Sequence, residues 1–485
     1  MRLGELMRAA PAHAASLDVA GITADSRAVA PGYVFAALPG TREDGRRFIA
    51  DAVAKGACAV LAPTGTAWPP GVPPRPLIEA EEPRRELALM AARLAGPQPA
   101  HIAAVTGTNG KTSTVDFLRQ IWTLAGKPAA SLGTLGLIAP GMPAGEGLTT
   151  PDPVTLSETL ARLRRAGIGH AAMEASSHGL HQYRLDGVRL EAAAFTNLTR
   201  DHLDYHGSME AYRAAKLRLF DALLPAGAVA VASSELDAAT LDALRDVAAR
   251  RRLRLRIVGE GGDAIRLLAA TPLPDGQELS IEAEGTRRTI RLAVPGRFQA
   301  DNVLVAAALA LATGEAAALD RLEHLTGVRG RLELAARLPN GAAVYVDYAH
   351  TPDALARLLT ALRPHAEGRL HVVFGAGGDR DPGKRKLMGE AAATYADVVV
   401  VTDDNPRSED PAAIRRAVLA GALAGAPGAR DGGAREAAIA SAMADLRAGD
   451  VLAVAGKGHE QGQTIAGETL PFDDVAVVRR LAGLT

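Results

Sequence analysis

Three groups of residues in this 485-residue chain have the types and spacing that chemistry on phosphates and amino acids requires. The first is Gly107-Thr108-Asn109-Gly110-Lys111-Thr112-Ser113, which follows an apolar run from Ile102 to Val105 and opens a helical pattern. Glycines permit a tight turn, N–H groups at a helix start face an anion, Lys111 neutralises phosphate charge and the Thr112 hydroxyl suits Mg²⁺. The spacing is not that of a Walker A loop: only Thr108 and Asn109 separate Gly107 from Gly110. The second group is Glu174-Ala175-Ser176-Ser177-His178-Gly179-Leu180 together with the dense His and Asp string from Thr196 to Gly207. A carboxylate, hydroxyls and imidazoles placed directly after apolar runs suit a metal-and-phosphate role, although a lone glutamate there is ordinarily a solvated cap. The third group lies in the last third of the chain: Asp347 to Asp353, Gly375 to Asp381, Thr402 to Arg407 and Gly456 to Glu460.

These strings need a scaffold that ends many strands on one side. Apolar runs at Ala171 to Met173, Ala192 to Phe195 and Val229 to Ala232 predict a parallel α/β sheet around Ile102 to Val105. Ligands of such sheets gather at the carboxyl ends of the strands. Runs at Ala343 to Val346, Leu370 to Phe374, Asp397 to Val401 and Val451 to Ala455 predict a second parallel sheet, and each run ends in one of the polar strings. Before Ala95, short strand-like pieces at Tyr33 to Leu38 and Ala57 to Ala62 predict a small α/β domain, closed by Pro-rich segments around Trp68 to Pro76. The length exceeds what one core supports. We expect three α/β domains: residues 1–97, a central P-loop-like parallel-sheet domain over 98–326, and a Rossmann-like domain over 327–485.

Composition narrows the function classes. Lys plus Arg number 54 against 55 Asp plus Glu, a net charge of -1, and aromatics make up 4%. Neither a basic field nor a base-stacking surface is available, which disfavours nucleic-acid partners. Cys58 is the single cysteine, which excludes an internal disulfide and a cysteine-based zinc cluster. No apolar run reaches the ~20 residues of a membrane span and the N-terminus lacks signal-peptide features, so we expect a cytoplasmic protein. The Gly375-Ala376-Gly377-Gly378-Asp379-Arg380 turn does not complete GxGxxG, and Pro382-Gly383 interrupts the helix start, against a dehydrogenase.

The string GTNGKTS, with ExSSHGL at Glu174 to Leu180 and the TNxxxDHLDxHG form at Thr196 to Gly207, resembles the Mur ligase superfamily, which includes the folylpolyglutamate synthetases. The resemblance implies an ATP loop at Gly107, Thr108, Asn109, Gly110, Lys111, Thr112 and Ser113. It implies Mg²⁺ ligands at Glu174 and His202, with Thr112 beside them. Tyr212 to Phe220 matches YxxxK(x)₃F, whose lysine the family carbamylates with CO₂ to support a second Mg²⁺; that position is Lys216. Asn302, Arg331 and Asp347 match further ATP-side positions, although the expected GxFNxxN reads Gln299 at its first asparagine and NxDD is replaced by Ser233 to Asp237.

Other strings are similar to those of the muramyl-tripeptide synthetases within the family. Asp25-Ser26-Arg27 and Thr41-Arg42-Glu43 imply contacts to a UDP group, from Ser26 and from Thr41, Arg42 and Glu43. Thr149, Thr150, Ser176, Gln182 and Arg184 match contacts to the sugar-peptide. Asp404-Asn405-Pro406-Arg407 resembles the string of members that add meso-diaminopimelate, with Arg407 clamping the distal carboxylate bidentately. Arg380, Gly456 and Glu460 match further positions around that amino acid.

The activity implied is ATP-dependent amide ligation in peptidoglycan precursor synthesis. The substrates would be UDP-N-acetylmuramoyl-L-alanyl-D-glutamate, meso-diaminopimelate and ATP. Two Mg²⁺ and a CO₂-derived carbamate on Lys216 would assist, and the γ-carboxylate of D-glutamate would pass through an acyl phosphate. We expect a monomer that closes about linkers near Pro97 and Gly327. The alternatives are a related ligase adding L-lysine or glutamate, and a non-catalytic muramyl-nucleotide sensor.

Overall fold

The computed structural model describes residues 1–7, 10–40, 43–143, 148–273 and 275–484. The chain forms two compact units, Met1–Ile257 with Val305–Ala316, and Val258–Leu304 with Ala317–Thr485. Both are α/β, as the apolar runs imply.

The first unit begins with a parallel four-stranded sheet, Gly21–Thr23, Tyr33–Ala36, Ala59–Pro63 and Leu77–Ala80 in that order. The last strand follows the Pro-rich segment and is too short and mixed to read from alternation. One face of the sheet packs on Leu3, Leu6, Leu87 and Met90, and the other, through Phe35 and Val60, on Ile49, Ala52 and Val53.

The same unit contains parallel strands in the order Val229–Ser233, Ala192–Phe195, His101–Thr106, His170–Glu174 and Ala129–Gly133, edged by antiparallel Gly136–Ile138. All five parallel strands are buried along their length or nearly so, which is why they read as continuous apolar runs. Helices begin at clear signals: Asp152 caps Pro153–Arg165 by accepting the Val154 and Thr155 N–H groups, and Asp237 caps Ala238–Arg251. Asp237 thus ends the departing Ser233 to Asp237 string in a structural role.

The second unit holds an antiparallel trio, Ile265–Leu273, Gly276–Ala283 and Thr286–Leu292, that the parallel reading did not anticipate. Its second turn is Glu284-Gly285 with φ of 51° and 73°, a two-residue turn matched to strand twist. The remaining six-stranded sheet has the order Glu333–Arg337, Ala343–Asp347, Val451–Ala455, Leu370–Phe374, Val398–Thr402 and Arg430–Gly433, parallel except for its first strand. Helices cover both faces, over Leu355, Leu359, Met388 and Val418 on one side and Ile439, Met443 and Val478 on the other. Among the described residues no helix is long and apolar enough to cross a membrane.

Candidate active site

The strand His101–Thr106 lies between Ala192–Phe195 and His170–Glu174, so the polar strings that follow all three meet at one sheet edge. Gly107 leaves the strand at φ 148°, where a side chain would strike the Thr196 hydroxyl. The loop is tied down by that neighbour. Thr108 N–H donates to the Asn197 carbonyl at 2.8 Å, Asn109 N–H to Asn197 Oδ1 at 2.9 Å, and the Thr196 hydroxyl to the Asn109 carbonyl at 2.6 Å. Gly110, left-handed at φ 83°, caps the helix Lys111–Leu124 without a side-chain oxygen, so the positive end of the helix opens on the loop. Lys111 Nζ folds back onto the Gly107 and Thr108 carbonyls, each at 2.9 Å, and Ser113 is buried behind.

Glu174, 1% exposed, is the last residue of its strand and faces this helix start. Its Oε1 accepts the Thr112 hydroxyl at 2.9 Å and the Thr134 N–H at 2.8 Å, and its Oε2 accepts the Thr134 hydroxyl at 3.3 Å. Gly133 makes room for that carboxylate. A buried carboxylate and a hydroxyl are hard oxygen donors, so the pair fits Mg²⁺. Among the described residues no three His, Cys, Asp or Glu side chains gather into a metal cage. His202 stands instead at the edge of an aromatic cluster, with φ 52° and its ring 4.9 Å from that of His178. His178 stacks obliquely on Tyr205 at 4.1 Å, and His206 lies 5.2 Å from Tyr212. Burial, with the fields of His178, His181, His202 and Lys216, pushes His206 down to about 4.

Lys216, 1% exposed, comes from the helix Met209–Arg218 and donates to the Gly107 carbonyl at 2.7 Å. Its ammonium lies 4.5 Å from the Tyr212 ring centre, and the Tyr212 hydroxyl is 3.2 Å from the Thr108 hydroxyl. Burial and then the charge of Lys111 push Lys216 well below the usual lysine range, with Asp201 opposing.

Within the same unit a cavity of about 890 Å³ is lined by Ser26, Glu43, Gln182 and Arg184 among others. Two segments far apart in sequence therefore face one space. Thr41 and Arg42 lie outside the described residues. Arg184 donates to the Thr150 carbonyl at 2.6 Å and to Gln182 Oε1 at 2.8 Å. The Thr150 hydroxyl donates to the Glu174 carbonyl at 2.9 Å and accepts the Ser176 N–H at 3.0 Å. Thr149 reaches the Thr134 hydroxyl at 3.2 Å, which links this group to Glu174.

The second unit gathers the other polar strings. Asp404 is buried, Gly456 at φ 118° brings its backbone close to the Asp404 carboxylate, and Asn405 Nδ2 donates to Glu460 Oε2 at 3.0 Å. After Pro406 the chain turns at Arg407, φ 52°, whose Nη1 donates to the Gly378 carbonyl at 2.7 Å beside Gly377. Arg380 is exposed next to that glycine. Asp347 is half-buried, and its carboxyl group, pushed up by burial, accepts the Leu332 and Ala349 N–H groups at 2.8 Å, holding the turn that carries Arg331. Arg331 packs 4.9 Å from the Tyr348 ring. Asn302 is buried and donates to Gln299 at 2.8 Å, so the glutamine pairs with the asparagine it accompanies.

Three family models match the chain in succession: the Mur ligase family catalytic domain at residues 18–95, the Mur ligase middle domain at 105–310, and the Mur ligase glutamate ligase domain at 330–458. The chain belongs to the Mur ligase family. A relative from Caulobacter vibrioides, named UDP-N-acetylmuramoyl-L-alanyl-D-glutamate–2,6-diaminopimelate ligase, is 56% identical over 466 residues, 94% of each chain. A solved structure of an enzyme with that name is 32% identical, with TM-score 0.75, covering 100% of this chain and 99% of its own. A MurF ligase from Thermotoga maritima in complex with ADP has TM-score 0.60 at 18% identity, covering 96% and 97%, and shares the fold. The three-domain α/β architecture of this Mur ligase is that of these structures.

Three side chains in these clusters were not singled out by sequence. Thr134 follows the apolar run Ala129 to Leu132, a strand-end signal like that of Glu174. Tyr212 and Lys457 lie inside quoted strings, where nothing in residue type separates them from surface positions. Lys457 is wholly buried and donates to Asn405 Oδ1 at 2.9 Å.

Proposed function

We propose that this Mur ligase joins meso-2,6-diaminopimelate to the D-glutamate γ-carboxylate of UDP-N-acetylmuramoyl-L-alanyl-D-glutamate, with ATP converted to ADP and phosphate. The observation that carries the assignment is 56% identity over 94% of both chains to a ligase of that name. The Asp404 to Arg407 turn supports the choice of amino acid.

The chemistry follows from charge. A carboxylate is a poor acyl donor until phosphorylated, and bringing one anion to another demands neutralisation and alignment. Lys111 and the N–H groups at the start of its helix would receive the phosphates, exchanging the loop carbonyls for phosphate oxygens. Thr112 and Glu174 would hold Mg²⁺, with His202 as a further ligand by family resemblance, and the ion would supply neutralisation of charge on the transferred phosphoryl group. Lys216 is held where an ammonium is costly, buried and beside Lys111. Its neutral amine would attack CO₂, forming an N–C bond and releasing a proton, and the resulting carbamate carries a negative charge that Lys111 attracts. Ser26, Glu43, Gln182 and Arg184 would bind the UDP-sugar-peptide in the 890 Å³ cavity. Thr149, Thr150 and Ser176 connect that cavity to Glu174.

In the second unit Arg407 would clamp the distal carboxylate of diaminopimelate with Arg380 beside it, while Asp404 and Glu460 accept an ammonium. The attacking amine forms the C–N bond, expels phosphate and loses a proton. Asn302, Arg331 and Asp347 would serve the ATP side from their unit. We place the enzyme in the cytoplasm, where ATP is available, and as a monomer, because one chain carries residues for all three substrates.

ADP release with the UDP-dipeptide and, in separate reactions, meso-diaminopimelate, L-lysine or glutamate tests the assignment. Turnover with meso-diaminopimelate alone, and a product heavier by its residue, is expected. Turnover with L-lysine or glutamate alone would replace the amino acid, and no turnover with any would point to a sensor.

A further inference from the structure

Lys457 is buried completely, its side chain 0% exposed, beside the site for the incoming amino acid. Its ammonium donates to Asn405 Oδ1 at 2.9 Å and lies 3.4 Å from Glu460 Oε2 and 3.7 Å from Asp404 Oδ1. A buried ammonium is costly unless opposite charge and hydrogen bonds surround it, and here both do. The neighbouring buried cation, Arg435, is already matched by Asp474 at 2.7 Å and by the Ala455 carbonyl. Lys457 is therefore the nearest countercharge for Asp404 and Glu460.

The same ammonium decides which way an amide points. Asn405 Oδ1 accepts from Lys457 and from the Thr464 N–H at 3.0 Å, so the oxygen is occupied by two donors. The amide nitrogen must then face the other way, and it donates to Glu460 Oε2 at 3.0 Å. One carboxylate oxygen of Glu460 is thereby held from two sides. Gln463 donates to the Asp404 carbonyl at 2.6 Å and fixes the base of the turn.

We propose that Lys457 is a positioning residue of the amino-acid site, holding Asn405 and Glu460 in one arrangement and leaving Asp404 and Glu460 a single net negative charge. That charge is matched to one ammonium of an α-amino acid rather than to two. The role rests on the ligase assignment above, since Asp404 and Glu460 bind the substrate only under it.

Steady-state kinetics of Lys457→Met in the full-length enzyme test this role. KM for meso-diaminopimelate is expected to rise on the order of tenfold to a hundredfold, as for loss of a charged hydrogen bond. KM for ATP and for the UDP-dipeptide should stay at their wild-type values. Lys457→Gln, which keeps a donor for Asn405 without the charge, should fall between Met and wild type. In the Lys457→Met background Glu460→Gln should cost less than it does alone, because Glu460 is already released. Equal changes in all three KM values, an unchanged KM for the amino acid, or additive effects of the two substitutions would each overturn the role. So would failure of both Lys457 variants to fold, which would make the ammonium a stability element. If the wild type turns over only with L-lysine, the same variants are read with L-lysine; no turnover with either amino acid removes the ligase assignment and this role together.

Discussion

Lys111 and Lys216 share one acceptor, the Gly107 carbonyl, at 2.9 and 2.7 Å. Two ammonium groups converging on one oxygen repel each other, and Lys216 has the greater burial, so it bears the cost and is pushed well below the usual lysine range. Carbamylation of Lys216 would turn that repulsion into attraction.

Lys216→Ala is accordingly expected to lose activity by roughly two to three orders of magnitude, the scale of removing one charge-positioning group. Formate or acetate should restore part of it by filling the space with a carboxylate. An unmodified lysine by mass spectrometry of native enzyme kept in CO₂-saturated buffer, together with absence of rescue, would falsify the carbamate.

Lys111→Ala removes the cation that, under the proposed function, the loop would present to phosphate. ADP release should fall by roughly a thousandfold or more at saturating ATP. Turnover near wild type would show that the loop N–H groups suffice.

Arg407→Ala should raise KM for meso-diaminopimelate by about ten- to a hundredfold, the worth of a charge-assisted hydrogen bond, with KM for ATP little changed. Parallel increases for both substrates would mean that the substitution collapses the turn at Gly378 instead of removing a substrate contact.

Gly107→Ala tests the loop geometry. At φ 148° the new methyl group meets the Thr196 hydroxyl and comes within 3.2 Å of the Asn197 backbone. A loss of about 1–3 kcal/mol in stability is expected from overpacking, accompanied by a higher KM for ATP. Chemical denaturation with wild-type behaviour would contradict the close approach of the two loops.

Stability should fall on acidification. His170 is buried against His101 and Trp122, and burial first, then the field of His101, holds it at about 4 against an ordinary 6.5. Because the folded pKa lies below the unfolded one, the unfolded chain takes up the proton first. The contribution of neutral His170 is complete above pH 6.5 and is lost as pH falls toward 4. His170→Phe should flatten the melting temperature between pH 6.5 and 4, and an unaltered slope would assign the acid sensitivity to other groups.

Much of the candidate site was legible because its parts are local in sequence. Gly107 to Ser113, Glu174 to Leu180 and Asp404 to Arg407 each place their reactive groups within one turn, directly after a strand whose apolar run marks its carboxyl end. The α/β class followed from the same runs, since strands buried on both faces cannot alternate with polar residues. The antiparallel trio over Ile265–Leu292 was missed because strands with only one buried face mix apolar with polar residues and form no continuous apolar run. What only the tertiary structure decided are relations set by strand order. The helix carrying Lys216 reaches Gly107 across 109 residues, Ser26 and Arg184 face one cavity, and Thr134 joins Thr149 to Glu174. Lys457 became distinguishable from a surface lysine only when Asp404, Asn405 and Glu460 closed around it. Residue type and spacing determine which groups can react; burial and neighbouring charge determine what state they hold, and both arise when distant strands pair.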